Sequence, residues 1–354
     1  MNTNKIKKYL YRAKKARLRS VFYKRDKWMV KELELPQLTP KEFNQIKEVW
    51  PCFDFKMKDL IFMRLYKKEH GFDPYYICDF QYSYILDRFN PSERVVGLTN
   101  KALYDVYFPN IRFPKSYLKC IRGNFYSESM ELLSLDDAID YLGGLGIDEF
   151  VIKPSIDSAG GKGVRRLYLS NIKNKRNELI DLFRQYNENF IIQEPINQHR
   201  TLSQLNPTSL NTCRVTTVFI KDRISTSTII KIGKKGAFVD NWNNGYLVGV
   251  DNNGMLHDVG YDNKLRKVFQ TDSGITFGKT IIPNYNNLIE SIKDYHKRYL
   301  PQCGIVGWDT TIDSRGQIIV IEANTFTPGV TGEQLCSGTF FKNHAEVICS
   351  SINK

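Results

Sequence analysis

The order of apolar and polar residues along the chain predicts two regions of different secondary structure. Residues 1–95 are mostly helical in pattern, and Thr39, Pro40 and Glu42 form the capping box at the start of one helix. From residue 96 onward, short apolar runs rich in β-branched residues alternate with amphipathic stretches, which predicts strands and helices in turn. Several of these strands follow one another closely, which favours antiparallel pairing and α+β sub-domains over a regular parallel winding.

The region from 96 to 354 can be divided into individual elements. Capping residues and a helical period predict helices at 134–144, 174–190 and 285–300. Apolar runs predict strands at 148–154, 190–196, 211–220, 225–233 and 236–242, followed by a hairpin of 304–313 and 316–324. We expect two sub-domains, at 96–195 and 196–354, behind the helical region 1–95.

Charge and cysteine content limit the class of protein. The formal net charge is +13, and much of the excess precedes the first acidic residue, Asp26. No run approaches the length of a transmembrane helix, and the N-terminus lacks the apolar stretch of a signal peptide. The seven cysteines are odd in number and form no CxxC pair. This pattern predicts reduced thiols, no disulfide, no structural zinc and a cytoplasmic location.

The basic N-terminal segment, residues 1–25, leaves two interpretations open. It is either a solvated helix or a surface that contacts anionic lipid headgroups or an acidic polymer. An apolar side of such a helix favours the inner face of a membrane, and nucleic acid is disfavoured because no nucleic-acid module follows. That side would consist of Leu10, Leu18, Val21 and Phe22.

The final hairpin brings two carboxylates together. A two-residue turn at Ser314–Arg315 would put Asp309 opposite Val320 and diagonal to Glu322, with Cβ atoms roughly 7–8 Å apart. Asn324 then shares the strand face of Glu322. Buried carboxylates at this separation repel unless a cation lies between them, and three hard oxygen donors suit Mg²⁺ that also binds phosphates. A polar sheet edge would give the same pattern, but the apolar residues around Glu322 favour the metal site.

A lysine at the end of a buried strand supplies the second half of a candidate site. Lys153 ends the predicted strand 148–154 and precedes a glycine-rich loop, whose backbone N–H groups can bind phosphate oxygens. Neither the P-loop pattern nor the dinucleotide-binding glycine pattern is present. Together with the acidic hairpin, the loop predicts a site for ATP and Mg²⁺.

Four segments of the chain resemble a known family. The segments FVIKP…SAGGKGV, IIQEPI, LNPTSLNTCRVTT and GWDTTI…IVIEANTFTPG are similar to the ATP-grasp superfamily over roughly residues 96–341. NPTSLNTCRVTT is most similar to the branch associated with sugar transfer and polysaccharide biosynthesis. The resemblance implies an ATP-grasp fold, in which two α+β sub-domains clasp ATP behind the helical N-terminal region. It also implies a ligase that activates a carboxylate as an acyl phosphate, passes it to an amine and releases ADP.

The resemblance further implies roles for individual residues. Phosphate-binding lysines would be Lys101 and Lys153. The loop that closes over the phosphates would contain Ser158, Gly160, Gly161, Lys162 and Gly163. The adenine would meet the backbone of Glu194, Pro195 and Ile196. Two Mg²⁺ ions would be bound by Asp309, Glu322 and Asn324. Arg214 would stabilise the transferring phosphate or the substrate carboxylate, and Lys231 would be a further phosphate ligand.

Two segments stay open to more than one interpretation. No acidic residue lies between Glu194 and Asp222 to bind the ribose, so His199 or Gln198 takes this role, unless His199 is a surface histidine. Residues 238–256 form either a pair of hairpins or an acceptor-facing loop in which Asn241, Asn244 and Gly245 contact the substrate.

The resemblance also sets the expected substrates. It implies an amide on a uronic-acid-containing sugar or a polysaccharide or capsule precursor, with an amino acid or amino sugar as the amine. A kinase on the same fold would keep every nucleotide residue, and a non-catalytic glycan- or membrane-binding relative is the third reading. The many Tyr and Phe residues of 1–95 could stack on sugar rings and complete the acceptor site.

Overall fold

The computed structural model describes residues 3–156, 158, 160–171 and 175–352. Its N-terminal region is helical, as the sequence pattern predicts. The capping box at Thr39 is confirmed: the Glu42 N–H donates to the Thr39 hydroxyl (3.2 Å), and the Thr39 N–H donates to the Glu42 carboxylate (2.7 Å). The helices of this region are α1 (Thr3–Asp26), α2 (Trp28–Glu32), α3 (Pro40–Val49), α4 (Ile61–His70), α5 (Asp79–Phe89), α6 (Ser92–Val95) and α7 (Tyr104–Tyr107).

The first sheet holds the glycine-rich loop. Its six strands run in the order β3-β2-β1-β6-β4-β5 with every pairing antiparallel. The predicted strands at 148–154 and 190–196 are confirmed as β4 and β6, and Phe150, Ile152 and Phe190 fill the core beneath them. The strands are β1 (Ser116–Ile121), β2 (Asn124–Tyr126), β3 (Leu132–Leu133), β4 (Glu149–Pro154), β5 (Arg165–Tyr168) and β6 (Asn189–Gln193), with helices α8 (Leu135–Gly144) and α9 (Lys175–Tyr186).

The second sheet holds the acidic hairpin. Its seven strands run in the order β11-β10-β9-β8-β7-β12-β13, again with every pairing antiparallel. The α+β architecture expected from the sequence is therefore confirmed. The elements are α10 (Arg200–Ser203), β7 (Thr212–Ile220), β8 (Arg223–Gly233), β9 (Gly245–Val250), β10 (Leu256–Asp262), β11 (Lys267–Val268), α11 (Tyr285–Tyr299), β12 (Ile305–Ile312), β13 (Ile318–Asn324), α12 (Thr331–Ser337) and α13 (Ala345–Ile352).

The N-terminal helices and the second sheet share one hydrophobic core. Trp50, Tyr66 and Ile85 belong to the same buried cluster as Ile305 of β12 and Leu335 of α12. Burial of these rings removes a large apolar area from water, which holds the helical region on one face of the sheet. The most buried of these aromatic side chains form core, and the stacking of N-terminal rings on a sugar stays a prediction for the less buried Tyr and Phe residues.

Helix α1 docks on this core through its last turns. Phe22 packs against the N-terminal cluster, and Arg25 Nη2 lies 2.5 Å from Asp79 Oδ2. Val21, in contrast, is 52% exposed. Part of the apolar side that could face a membrane is thus half-buried against the protein core. Within the described residues, none of the helices combines the length and the apolar character needed to cross a membrane.

Two sequence-based predictions about this fold are wrong. Residues 236–242 form a loop and not a strand, because the Asp240 side chain turns inward to accept hydrogen bonds from Thr212. The prediction of fully reduced thiols fails for Cys52 and Cys349, which form a disulfide with Cα atoms 5.0 Å apart. The two cysteines are separated by 297 residues, so no local spacing could indicate the pair. The other five are free and buried.

Candidate active site

The acidic hairpin has a different register from the predicted one. Asp309 lies directly opposite Glu322, because Ile321 forms a bulge between the pairs Asp309–Glu322 and Thr310–Val320. The turn also contains three residues and not two, with Gly316 at a φ of 77°. Directly opposed side chains have Cβ atoms about 4.5–5.5 Å apart, so the two carboxylates are closer than the diagonal pairing predicts.

Asp309 is the centre of a buried ion cluster. Arg214 binds it through two parallel bonds, Nε to Oδ1 (2.7 Å) and Nη2 to Oδ2 (2.9 Å). Lys231 Nζ lies 3.0 Å from Oδ1, and Asn324 Nδ2 donates to Oδ2 at 3.3 Å. Burial opposes ionisation of Asp309, but the charges of Arg214 and Lys231 outweigh it and hold the pKa of this carboxyl far below its ordinary value. The antiparallel strands β7, β12 and β13 place Arg214, Asp309 and Glu322 in one row.

Two lysines from outside the second sheet complete the cluster. Lys101 lies in a short 3₁₀ turn before α7, and its Nζ is 3.0 Å from Glu322 Oε1 and 3.2 Å from Ser158 Oγ. Lys153 lies near the end of β4 and is 9% exposed. Burial first and the charge of Lys101 next lower the pKa of Lys153, Glu322 partly offsets both, and the net value is about 8. Residues of both sheets therefore meet here.

The glycine-rich loop lies against the second sheet. Gly160, Gly161 and Gly163 have φ angles of 63°, 73° and 77°, a region that glycine enters without strain. Asn241 Nδ2 donates to the Gly160 carbonyl at 2.7 Å, and a Cβ on Gly161 would lie 2.8 Å from Val239 Cβ. The segment 238–241 is thus the contact surface for the loop. A 3₁₀ turn, Trp242–Asn244, follows it and leads into the β9–β10 hairpin, so the segment 238–256 contains one hairpin and not two. Contact of Asn241, Asn244 and Gly245 with a substrate stays a prediction.

We expect Gly161→Ala to detach the loop from Val239. The substitution forces an alanine to a positive φ, which costs about 1 kcal/mol, and adds a contact shorter than any normal Cβ packing distance. The matched control is Gly123→Ala, because Gly123 has a φ of 80° but no atom within 4 Å of the added Cβ. Faster tryptic cleavage after Lys162 in Gly161→Ala alone is the predicted result. Equal cleavage rates in the two variants would contradict the contact.

Several predicted residues lie outside this cluster. Lys162 is exposed. The Glu194 carboxylate accepts a hydrogen bond of 2.9 Å from the Lys115 N–H, which fixes its side chain at the start of β1. His199 caps α10, since its Nδ1 accepts from the Thr201 N–H at 3.2 Å, and Gln198 is buried against Asn211. Pro195 and Ile196 are half-buried at the end of β6. The roles of these residues in binding adenine and ribose stay predictions.

Two carboxylates that accept hydrogen bonds from β7, the half-buried Asp240 and the buried Glu333, were not predicted from the sequence. Asp240 accepts from the Thr212 N–H at 2.8 Å, and burial raises its pKa while the charge of Lys231 lowers it. Glu333 of α12 is 2% exposed and accepts from Thr216 Oγ1 at 2.7 Å. Neither belongs to a recognisable motif. The only signal in the sequence is that each is the one acidic residue in a segment that also contains apolar residues, FVDNW and GVTGEQL.

The donor set fits a hard divalent cation that is shared with phosphate oxygens. Asp309 and Glu322 are register partners, and Asn324 lies beside them with its Nδ2 donating to Asp309 Oδ2. Two carboxylates and one amide, groups that bind Mg²⁺ through their oxygens, are thus neighbours in the hairpin. Among the described residues, no three His, Cys, Asp or Glu side chains are grouped closely enough to hold a metal ion. A metal here would therefore need Asn324 or oxygen atoms of a substrate as additional ligands.

The fold and the cluster define the class of this protein. The two antiparallel sheets agree with the expected ATP-grasp fold, and the match to a family model confirms this expectation. A model of the sugar-transfer associated ATP-grasp family matches residues 80–350, and the chain belongs to this family.

Solved structures with a similar fold include three named proteins. D-alanyl-alanine synthetase A from Vibrio cholerae is 13% identical, with 75% of this chain and 67% of that chain covered and a TM-score of 0.41. The L-amino acid ligase from Bacillus licheniformis is 13% identical, with 86% and 62% covered and a TM-score of 0.42. For a D-cycloserine synthetase the identity is 13%, the coverage 73% and 71%, and the TM-score 0.42. The chain thus spans 62% to 71% of their lengths. No curated protein matches it.

Proposed function

We propose that the chain is an ATP-dependent carboxylate–amine ligase that works through an acyl phosphate. One observation carries the proposal: Lys101 joins Glu322 of the second sheet to Ser158 of the glycine-rich loop, beside the buried pair of Arg214 and Asp309. Such a cluster offers cations to a polyphosphate from both sub-domains. Membership of an ATP-grasp family supports ATP as the nucleotide.

The charge balance of the cluster supports metal ions as partners of ATP. Four cationic side chains, Lys101, Lys153, Arg214 and Lys231, are offset by four carboxylates, Asp309, Glu322, Asp240 and Glu333. ATP and a substrate carboxylate together add about five negative charges, which such a cluster cannot neutralise alone. Two Mg²⁺ ions would supply about four positive charges, and this supports the predicted pair of ions.

Each side chain of the cluster has a separate role in this proposal. Lys101 and Lys153 bind phosphate oxygens, and the glycine-rich loop covers them and excludes water. Arg214 presents its guanidinium to the transferring phosphoryl group, with Lys231 beside it. Mg²⁺ held by Asp309, Glu322 and Asn324 would neutralise phosphate charge. Catalysis in this proposal is mainly orientation and electrostatic stabilisation, because four cationic side chains lie in the cluster.

The substrates are proposed from the family and not from a sugar-binding residue. The sugar-transfer association of the family supports a uronic-acid-containing sugar or polysaccharide precursor as the carboxylate. An amino acid or amino sugar is the amine in this proposal. A kinase that stops after phosphoryl transfer would use the same cluster, so the two outcomes differ only in their products.

The proposal is tested by following the acyl phosphate directly. The protein is incubated with ATP, Mg²⁺ and a panel of uronic acids, with amino acids or hydroxylamine as the amine. A ligase releases ADP only when both substrates are present, and hydroxylamine converts its acyl phosphate into a hydroxamate. A stable phosphorylated product formed without any amine would instead identify a kinase. Glu322→Ala serves as the inactive control.

The lowered pKa of Lys153 predicts a pH dependence of ATP binding. Its charged form is favoured by phosphate oxygens, while the free lysine loses its proton near pH 8. We therefore expect ATP binding at pH 8.5 to take up a proton, and the affinity to fall above pH 8 by up to about tenfold per pH unit. Calorimetry in two buffers with different ionisation enthalpies measures the uptake. An identical uptake in Lys153→Gln would rule out this lysine as its source.

Contact of residues 1–25 with an anionic membrane is a further part of the proposal. Ten basic residues precede Asp26, and such a segment is attracted to anionic lipids by roughly 1 kcal/mol per basic residue near the surface. Since Phe22 packs within the protein, the attraction would be mainly electrostatic. Sedimentation with phosphatidylserine vesicles tests it: replacement of Lys5, Lys7, Lys8, Lys14 and Lys15 by Gln should release the protein. Unchanged sedimentation of this variant removes the membrane from the proposal.

A further inference from the structure

Glu333 is a buried carboxylate that the proposed nucleotide site does not use. It lies in the first turn of α12, is 2% exposed and accepts a hydrogen bond of 2.7 Å from the Thr216 hydroxyl. A neutral hydroxyl compensates a buried negative charge only in part, and buried carboxylates are normally paired with a cation. We therefore expect a cation near Glu333.

Arg214 is the cation that the strand geometry brings to Glu333. Arg214 and Thr216 are two residues apart on β7, so their side chains share one face of the sheet. Asp309 occupies Nε and Nη2 of the guanidinium. The remaining nitrogen, Nη1, lies 3.2 Å from the point where a Cβ of Gly307 would be, and Gly307 is the register partner of Thr216. Nη1 therefore lies on the Thr216 side of Arg214, the side on which Glu333 is held.

The pKa values of Glu333 and Arg214 both reflect their mutual attraction. Burial raises the pKa of Glu333, and the charge of Arg214 is the largest influence that lowers it again. On the other partner, burial lowers the pKa of Arg214, whereas Asp309 first and Glu333 next raise it. The guanidinium thus interacts with two carboxylates. Asp309 binds it directly, and Glu333 acts through its charge while it is hydrogen-bonded to Thr216.

Binding of Arg214 and binding of a metal ion compete for the Asp309 carboxylate. Both of its oxygens bind Arg214 and one also binds Lys231, yet the same carboxylate is the proposed metal ligand. A metal ion competes with the guanidinium for these oxygens. If Arg214 had no other anion, the ion would have to leave a largely buried guanidinium uncompensated, which is costly.

We infer that Glu333 is a positioning residue for Arg214, which holds the guanidinium in the cleft when Asp309 binds a metal ion. The inference rests on the proposed function, because it takes Asp309 as a metal ligand. It gives a reason for a carboxylate buried beside Thr216. It also gives a reason for Gly307, since a side chain there would occupy the space between Arg214 and Pro328.

The test measures metal binding without turnover. Calorimetry follows binding of a non-hydrolysable ATP analogue at increasing MgCl₂ concentrations in the full-length protein and in Glu333→Gln. We expect the half-saturating Mg²⁺ concentration to rise about tenfold or more in Glu333→Gln, while affinity for the analogue without Mg²⁺ changes less than twofold. Glu346→Gln, which removes an exposed carboxylate from α13, should leave both values unchanged. Circular dichroism establishes that each variant is folded.

A double-mutant comparison separates positioning from a merely structural role. In an Arg214→Gln background, Glu333→Gln should no longer alter the Mg²⁺ dependence, because there is no guanidinium to hold. An equal loss of analogue affinity with and without Mg²⁺, or an equal effect in both backgrounds, would overturn the inference. Absence of Mg²⁺-dependent binding in the unsubstituted protein would overturn the proposed function itself. The two failures are therefore seen in different samples.

A second variant is used if Glu333→Gln does not fold. Thr216→Val removes the hydroxyl that donates to the Glu333 carboxylate, and it must weaken Mg²⁺ binding in the same selective way. An unchanged Mg²⁺ dependence again overturns the inference.

Discussion

Lys153→Gln should slow ATP-dependent turnover by about 10²–10³ and at the same time stabilise the folded protein. Removing one preorganised donor to a transferring group typically costs about 10²–10³ in rate. The free energy of unfolding should rise because burial of the charged ammonium destabilises the folded protein: the pKa of Lys153 falls from 10.5 to about 8 on folding. Each pKa unit corresponds to about 1.4 kcal/mol, so we expect the free energy of unfolding at pH 7 to rise by roughly 1–3 kcal/mol.

The pH dependence gives this prediction its control. The unfolded chain binds the Lys153 proton more strongly than the folded protein, so the cost is fully present below about pH 8 and is recovered as the pH rises toward 10.5. The stability difference between Lys153→Gln and the unsubstituted protein should therefore shrink between pH 7 and pH 9.5 in urea titrations. Lys264→Gln, at an exposed lysine, should show no such difference. A Lys153→Gln protein that is less stable and fully active would contradict both parts.

Asp309→Asn should have the largest effect on stability. The substitution leaves Arg214 and Lys231, whose side chains are 16% and 20% exposed, without their shared anion. Removing one partner of a buried ion pair costs about 3–5 kcal/mol, and we expect a loss of this size in urea unfolding together with loss of Mg²⁺-dependent ATP binding.

A polyanion provides the internal check on Asp309→Asn. Tripolyphosphate in the absence of metal should restore part of the lost stability, since it neutralises the cations that the variant leaves unpaired. Asp222→Asn, at an exposed turn, is the matched control for removal of one negative charge. Stability equal to that of the unsubstituted protein would show that Asp309 is not the anion that holds this cluster.

The sequence predicts which residues of the hairpin lie near one another better than it predicts their pairing. Alternation and turn residues placed Asp309, Glu322 and Asn324 together, and the structure brings them together. The exact pairing depended on two local features, the three-residue turn at Gly316 and the bulge at Ile321. Each shifts the register by one residue, and neither changes the apolar pattern enough to be recognised from one sequence.

Residues that act through tertiary contacts could not be predicted. Asp240 and Glu333 become part of the cluster only because β7 presents Thr212 and Thr216 to them. The strand predicted at 236–242 failed for the same reason, because the hydrogen bonds of the half-buried Asp240 carboxylate to Thr212 of β7 override local β propensity. The Cys52–Cys349 pair likewise depends on how the N-terminal helices pack against α13, which no spacing rule describes.

Calorimetric binding of ATP with and without Mg²⁺, in the unsubstituted protein and in Glu322→Ala, tests the central claim most directly. The ion cluster of Lys101, Glu322 and Asp309 predicts binding that is strengthened by Mg²⁺ in the unsubstituted protein and that loses this metal dependence in Glu322→Ala. Absence of ATP binding by the unsubstituted protein, under any Mg²⁺ concentration, would contradict the assignment of this cleft to a nucleotide.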